Sequence, residues 1–462
     1  MKTQITSSTL FVASLAALTS CNQATEPNQP NIVMLFVDDW GWADMGCRNE
    51  IYQSPNIDKL MGESLNFTRA YVSTATSSPS RASLLTGKEA LRCGFTRHIY
   101  HKQAEEQEFE SSATDPGHML SRGWLPTEEI TYAERLKEAG YYNFFVGKWH
   151  LGEGQSDEFY PTNQGFDEIY GTCPAGAPKD YSKAPFFSKY NPLPNAKEGD
   201  YLTDLLTEGA VDFIENYDKD QPFLLNMWYY SVHGPHKPRK DVYEKYIALG
   251  YAEEDAKYAA MVELMDNSIG AIRAALKAKG VADNTIIILT SDQGGSHKNG
   301  HLRGGKKGGD TLAEGGSRVP FAIYAPWSNM MGQEYHKPIS TIDVFPTFVE
   351  IATGKKCVDK QIQGVSLLPT LNGDELADRD IFLHRSYEDQ NSAILRGDWK
   401  LIKYRSGKLE LYNIADDESE TTNLVESEPE RTKSMLEAVI EWQKEATPDY
   451  LLQDVAIGCS AK

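Results

Sequence analysis

The sequence predicts an α/β protein: a large mixed, mostly parallel sheet sandwiched by helices, with a smaller antiparallel-sheet domain at the C-terminus. Continuously apolar runs, such as residues 32–37, are typical of strands buried on both faces of a parallel sheet. They alternate with segments of helical periodicity, which favours an α/β layer arrangement. After about residue 370 the runs become short and are separated by turns, as in an antiparallel sheet.

The large domain is predicted over residues 31–370. Its strands are expected at 32–37, 141–146, 223–229 and 285–289, and its helices at 57–65, 130–139 and 253–279. Asn56 is the expected N-cap of the first helix, while Gly140 and Gly280 end the other two. The longest helix presents one apolar stripe, formed by Tyr258, Met261, Val262, Met265, Ile269, Ile272 and Leu276.

The C-terminal domain is predicted over residues 371–462. Four short strands are expected at 381–384, 393–395, 399–404 and 409–412, because turn sequences such as Ser406-Gly407 separate them. A helix over 429–444 follows, with its apolar residues on one side.

Composition excludes global disorder and disfavours nucleic acid as a partner. The chain has 462 residues, of which 40% are hydrophobic and 24% charged, with 66 acidic and 46 basic residues and a net charge of −20. An anionic substrate would be repelled at long range, but salt screens that field within about 10 Å. Local cations in a site must therefore attract such a substrate.

The N-terminus is predicted to be a targeting signal that is not part of the fold. Lys2 precedes an apolar run over residues 10–18 that ends in Leu18-Thr19-Ser20-Cys21, which resembles a bacterial lipoprotein signal with Cys21 lipidated. A plain cleaved secretory signal is the alternative. Residues 1–21 would then be the signal and 22–30 a polar tether. We expect export, with a lipid anchor as the only membrane attachment, to the periplasm or outer membrane of a Gram-negative bacterium.

Residues 75–87, A-T-S-S-P-S-R-A-S-L-L-T-G, form the most informative stretch. Pro79 is expected to keep Ser78 out of helical geometry, and Ser80 could cap a helix beginning at Arg81. Ser77 would then face free N–H groups and the Arg81 guanidinium, which together suit a tetrahedral oxyanion. The alternative is a Ser/Pro turn before an ordinary helix.

This stretch resembles the C/S-x-P-S-R signature of the type I sulfatases, members of the alkaline phosphatase superfamily, and the signature positions match from 75 to 87. In that family the first residue is oxidised to formylglycine (3-oxoalanine). Ser77 at this position implies the serine-type branch and, as a partner, a serine-type anaerobic sulfatase-maturating enzyme. The resemblance covers essentially all of the mature chain and implies an alkaline phosphatase-like fold.

Two acidic pairs follow predicted strands, Asp38-Asp39 and Asp292-Gln293. Hard cations such as Ca²⁺ prefer oxygen ligands, but both aspartates can bind one ion only if the chain bends after Val37. Alone, such a pair is more often a turn or a helix cap. The family resemblance implies that these four residues, with the modified Ser77, hold one Ca²⁺, although Gln293 replaces the usual Asn.

Three further segments match family positions. Residues 140–150 resemble the second sulfatase signature, whose Lys148 and His150 would contact the sulfate and the formylglycine; alternatively both are solvated surface residues. By analogy His236 protonates the departing alcohol, with His233 as a supporting or merely structural residue. In the glycine-rich segment 294–316, Lys306 is expected to bridge the sulfate and the leaving oxygen, in preference to Lys307.

The resemblance therefore implies a sulfuric ester hydrolase acting on a sulfated carbohydrate. We expect specificity to lie in residues 98–124 and 172–200, whose aromatic and basic residues could contact sugars; the alternative is that both are solvated loops. One alternative is a phosphatase or phosphodiesterase of the same superfamily, although two-zinc members need histidines beside the aspartates. The other is a catalytically silent, glycan-binding lipoprotein with unmodified Ser77.

Overall fold

The computed structural model describes residues 29–99, 106–108, 118–152, 157–306, 310–385 and 389–448. The predicted signal over 1–21 with Cys21, the tether up to residue 28, and Lys307 lie outside these residues. Within the ranges described, no helix combines the length and apolar character needed to cross a membrane.

The strands range from two to seven residues in length. In chain order they are β1 Asn31–Val37, β2 Leu65–Phe67, β3 Ala70–Tyr71, β4 Glu106–Glu108, β5 His118–Leu120, β6 Tyr142–Gly147, β7 Glu168–Tyr170, β8 Phe223–Trp228, β9 Thr285–Ser291, β10 Arg318–Val319, β11 Phe321–Tyr324, β12 Glu334–Tyr335, β13 Ile339–Ser340, β14 Asp380–His384, β15 Gln390–Arg396, β16 Trp399–Tyr404 and β17 Leu409–Asn413.

The α-helices lie between these strands and after the last one. They are α1 Pro55–Gly62, α2 Ser77–Thr86, α3 Tyr132–Glu138, α4 Leu202–Asn216, α5 Lys240–Ala248, α6 Glu253–Lys279, α7 Glu314–Ser317, α8 Val344–Thr353 and α9 Pro429–Ala446. Short 3₁₀ turns occur at Asp157–Phe159, Pro161–Asn163, Ala282–Asn284, Thr341–Asp343 and Leu368–Asn372.

The main sheet has eight strands in the order β12-β2-β11-β9-β1-β8-β6-β7, and all pairs are parallel except those of β11. Successive side chains of β1 point to opposite faces. Val33 and Leu35 pack with α1, α4 and α6, whereas Met34 and Phe36 pack with α2, α3 and α8. The predicted mixed sheet between two helical layers is confirmed.

The smaller sheet is antiparallel in the order β14-β15-β16-β17 and confirms the second part of the fold prediction. Helix α9 covers one face, where Met435 and Val439 meet Leu401 and other strand residues. The other face packs against Tyr71 and Leu312 of the large domain. The structured sheet begins at Asp380, and the boundary near residue 370 stays a prediction.

Helix α1 differs from its prediction at both ends. It begins at Pro55, with Ser54 at the N-cap position, because proline at the first helical position loses no hydrogen bond there. The predicted cap Asn56 instead donates its amide to Asp266 at 2.7 Å. The chain then turns, and Leu65, predicted as helical, begins strand β2.

The buried His384 is expected to make the fold sensitive to acid. His384 is buried, its Nδ1 lies 3.0 Å from Ser392 Oγ, and burial beside Arg405 and Lys403 lowers its pKa to about 3. The unfolded chain binds a proton near its ordinary pKa of about 6.5, so stability is lost as pH falls below that value.

We therefore expect the free energy of unfolding to fall between about pH 7 and about pH 5, with His384 contributing on the order of 2 kcal/mol. Urea unfolding at both pH values should show a smaller drop for His384→Gln than for the wild type. His336→Gln is the control, since that side chain is 72% exposed. An equal drop in both variants would contradict this role of His384.

Candidate active site

Three buried carboxylates meet at the carboxyl ends of β1 and β9. These strands are parallel neighbours, and Val37 pairs with Ser291, so Asp38, Asp39 and Asp292 leave the sheet side by side. One oxygen atom from each carboxylate lies within 4.8 Å of the others. Asp39 adopts a left-handed backbone with φ of 61°, which provides the bend after Val37 that a shared ion requires.

Ser77 lies at the start of helix α2, which corrects the prediction for this segment. The helix begins at Ser77, with Thr76 at the N-cap position, and not at Arg81 after a Ser80 cap. Pro79 is tolerated because N–H groups in the first helical turn have no intrahelical acceptor. Ser77 Oγ donates to Asp292 Oδ2 at 2.7 Å.

Arg81 follows Ser77 by about one helical turn and therefore lies on the same face of α2. Its guanidinium is fully buried and donates from Nε to Ser77 Oγ at 3.1 Å. Nη2 lies 3.0 Å from Asp292 Oδ2 and 3.4 Å from Asp38 Oδ1. Nη1 donates to the carbonyl of Lys148 at 3.0 Å, which links α2 to the end of β6.

Lys148 and His150 are buried, so their alternative interpretation as solvated surface residues is wrong. Lys148 Nζ lies 2.5 Å from Asp38 Oδ2; burial lowers its pKa, although the charge of Asp38 opposes this. His150 Nε2 lies 3.2 Å from the carbonyl oxygen of Ile99, and Nδ1 has no hydrogen-bond partner among the residues described. Burial, then the Lys148 charge, holds the pKa of His150 well below its usual value, which favours the neutral ring.

Lys306 reaches the same cluster from the glycine-rich segment. Its Nζ lies 2.5 Å from Asp39 Oδ2. Burial opposes the positive charge, but Asp39 and Asp38 outweigh burial and raise the pKa of Lys306. The structure thus places the preferred lysine in the site, while Lys307 lies outside the described residues.

The two histidines of the His233-Gly234-Pro235-His236 segment have different surroundings. His233 Nε2 lies 3.7 Å from Asp39 Oδ2, and burial lowers its pKa to about 4 despite that carboxylate. The His236 ring packs edge-on against Tyr258, with centroids 5.1 Å apart, and burial followed by His297 lowers its pKa. In the described part of the chain, His236 Nε2 has no hydrogen-bond partner. Of these two histidines, His233 is therefore the one that lies against the Asp39 carboxylate.

Gln293 lies at the carboxylate cluster despite its extra methylene. The side chain is buried, and its Nε2 donates to Asp39 Oδ1 at 2.7 Å. The three carboxylates at this buried point offer the hard oxygen donors that suit Ca²⁺, and the Gln293 amide lies beside them with its nitrogen on Asp39. The predicted metal-site residues therefore come together, and their chemistry fits the ion.

Sequence reasoning missed two tyrosines whose hydroxyl groups support the site. The Tyr181 hydroxyl lies 2.5 Å from the carbonyl oxygen of Tyr230 and 2.9 Å from that of His233, and can donate its one proton to either. The Tyr258 hydroxyl lies 2.6 Å from Asp44 Oδ2, its shorter contact, and 3.2 Å from the Asp39 carbonyl oxygen. The apolar stripe of α6 predicts the burial of Tyr258, but no sequence signal identifies the partner of its hydroxyl.

The second predicted specificity insertion, residues 172–200, is partly core. Tyr181, Phe186 and Phe187 are buried in the main apolar cluster and cannot stack on a sugar as expected. Most of the first insertion, residues 98–124, lies outside the described residues.

Comparison with known proteins identifies the family. The sulfatase family model matches residues 30–354, and the model for the N-sulphoglucosamine sulphohydrolase C-terminal region matches residues 311–445. The chain belongs to the sulfatase family. It is an enzyme of that family, as the family model and the named sulfatase relatives show.

Individual relatives agree with this assignment. This sulfatase is 34% identical over 384 residues to mouse N-acetylgalactosamine-6-sulfatase, covering 78% of this chain and 70% of the relative. It is 30% identical over 496 residues to a sulfatase of Formosa agariphila, covering 89% and 87%. The crystal structure of Ps i-CgsB in complex with k-i-k-neocarrahexaose superposes with a TM-score of 0.76 at 27% identity, covering 94% and 95%.

Gly176 leaves room for the His150 ring in this sulfatase, which provides a test. A Cβ atom at Gly176 would lie 2.4 Å from His150 Nε2, so alanine must displace the imidazole. We expect Gly176→Ala to lower kcat/KM for a small aryl sulfate about 10- to 100-fold, because small misplacements of active-site groups cost this much.

Gly62→Ala is the matched control, because a Cβ atom there meets nothing within 4 Å. We would compare the steady-state kcat/KM of the two variants with that of the wild type and use melting temperatures to confirm that both fold. Unchanged kinetics in a folded Gly176→Ala protein would show that the position of His150 is unimportant.

Proposed function

We propose that this sulfatase hydrolyses a sulfate ester of a sulfated carbohydrate, using a formylglycine made from Ser77 and one Ca²⁺. The observation that carries the proposal is the convergence on Ser77. Its Oγ lies 2.7 Å from Asp292 and 3.1 Å from Arg81, beside the buried carboxylate cluster. A hydroxyl held between a carboxylate and a guanidinium is placed for nucleophilic chemistry on an anion.

Asp38, Asp39, Asp292 and Gln293 would hold the Ca²⁺, together with the modified Ser77. A bound Ca²⁺ supplies positive charge that polarises an oxygen nucleophile and the sulfate oxygens. The protein's part is to keep the four ligand side chains in place. Tyr258 does so at the Asp39 carbonyl, and the Asp39 N–H donates to Asp292 Oδ1 at 3.1 Å.

The modification would explain how the enzyme completes repeated catalytic cycles with a buried nucleophile at residue 77. A hydrated formylglycine at residue 77 would supply one hydroxyl as the nucleophile and a second that lets sulfate leave again, which an unmodified serine cannot do. Asp292 lies where it can accept a proton from residue 77, and burial, with Asp38 nearby, raises its pKa and makes it a better acceptor.

Cationic and neutral donors surround the expected position of the sulfate. We assign Arg81, Lys148 and His150 to its oxygens, because preorganised charge in a buried site stabilises a transition state most. When the S–O bond breaks, the alcohol oxygen needs a proton. We assign this role to His236 by family analogy, while Lys306 and His233 both lie against Asp39.

The carbohydrate substrate is supported by the relatives. One is named for a sulfated N-acetylgalactosamine, and another was crystallised with a hexaose. We propose in addition that the lipoprotein-like signal exports the enzyme, which would place the site where extracellular glycans are met. A matched serine-type maturase in the host is part of the same proposal.

The first experiment is mass spectrometry of the tryptic peptide 70–81, from protein purified from its host or co-expressed with a serine-type maturase. We expect a loss of two hydrogens localised to Ser77, and sulfate release from a sulfated saccharide by the same preparation. Protein expressed without a maturase is the control and should be unmodified and inactive. Unmodified Ser77 in protein from its own host would overturn the proposal and favour the silent glycan-binding alternative.

The metal assignment has a separate test. Ca²⁺ added after chelation should raise the melting temperature and restore activity, because an ion that binds only the folded state stabilises it. Asp39→Asn should weaken Ca²⁺ binding about tenfold or more in calorimetric titration, since ligand charge sets affinity. Asp374→Asn, a change at an exposed loop carboxylate, should leave affinity unchanged. Equal affinities in the two variants would contradict the assignment.

A further inference from the structure

The chain segment that carries Lys306 is bonded to the C-terminal sheet by buried charges. Lys400 lies on β16, and its Nζ is 2.8 Å from Glu314 Oε1 and 3.2 Å from Glu420 Oε1. All three side chains are fully buried. Glu420 Oε2 also accepts the backbone N–H of Glu314 at 2.8 Å, so the contact fixes main chain as well as side chain.

Two more contacts hold the same segment on either side of Lys306. Arg303 Nη2 lies 2.9 Å from Glu410 Oε2 on β17, and Arg303 Nε lies 3.3 Å from Glu420 Oε2. Beyond Lys306, Gln390 Oε1 on β15 accepts from Thr311 Oγ1 at 2.6 Å and from the Leu312 N–H at 3.0 Å. Residues 303–306 and 310–316 therefore contact three strands of the C-terminal sheet.

Buried ion pairs are a poor way to join two domains, because desolvation of the charges offsets most of their attraction. Apolar contacts of Leu383 and Leu395 with Tyr71 and Leu312 already attach the sheet. The ion pairs add specificity of position, because they fix the path of the glycine-rich segment relative to the C-terminal sheet. Within the described residues, the backbone of Lys306 itself makes one backbone hydrogen bond, from its N–H to the Gly295 carbonyl at 3.0 Å.

We propose that Lys400, Glu420 and Arg303 are positioning residues that hold the segment so that Lys306 Nζ stays at Asp39. The C-terminal sheet is then a working part of the active site and not only a neighbouring domain. This inference rests on the proposed role of Lys306 in the reaction.

The test compares variants of this contact with an unrelated interdomain ion pair. Lys400→Met alone would leave two buried glutamates, Glu314 and Glu420, without their shared cation. We therefore use the double variant Lys400→Met/Glu420→Gln, which removes one positive and one negative charge, and compare it with Glu420→Gln. Asp398→Asn is the matched control, because it removes the pair with Arg69 Nη1 at 2.5 Å, which does not touch the segment. Melting temperatures confirm that each variant folds.

For the balanced double variant we expect a fall of about 10- to 100-fold in kcat/KM for an aryl sulfate. Amide hydrogen exchange over residues 310–316 should accelerate, and Asp398→Asn should change neither quantity. Wild-type kinetics and wild-type exchange in a folded double variant would overturn the proposal.

A double-mutant cycle with Lys306→Ala separates positioning from general damage to the fold. If the contact acts through Lys306, adding the double variant to Lys306→Ala costs less than about twofold further in kcat/KM. Full additivity would overturn the proposal while leaving the role of Lys306 intact. If Lys306→Ala alone retains wild-type kcat/KM, the proposed role of Lys306 is the part that fails, and the inference fails with it.

Discussion

The register between β1 and β9 is the constraint on which the site depends. Because the two strands are parallel and their last residues are paired, three carboxylates leave the sheet at one buried point. Like charges this close repel strongly in a medium of low dielectric constant, so the fold must bring cations to them. Arg81, Lys148 and Lys306 do this from a helix, a strand end and a loop, each touching a carboxylate.

The charge count of this cluster bears on the reaction. Three carboxylates and three cations are balanced by themselves, so a bound divalent cation would leave an excess of positive charge at Ser77. A sulfate ester, which carries one negative charge, would offset half of that excess. The overall charge of −20 matters little here, because screening removes distant charges over about 10 Å whereas these groups lie in contact.

Strong patterns in the sequence predicted most of the framework. The sequence predicts the boundaries of β1, β9, α6 and β16 to within a few residues, from buried apolar runs, a helical stripe and flanking turns. The family resemblance indicates residues that meet at the site. Pro79 is expected from the sequence to delay α2, but the helix starts at Ser77, because a proline in the first helical turn removes no intrahelical hydrogen bond. Local rules also fail where distant contacts decide the structure. The partners of Tyr181 and Tyr258 lie far away in sequence, so no local pattern reports them.

The two sequence domains do not correspond to two functional units. Both family models include residues 311–354, and this shared region contains Glu314, the residue that pairs with Lys400 of the small sheet. A glycine-rich segment has high conformational entropy and little side-chain packing of its own, so its path must be set by its neighbours. Here the neighbours on one side are strands β15 to β17. The position of Lys306 is therefore determined jointly by the metal-site carboxylates of the large domain and by the buried charges of the small one.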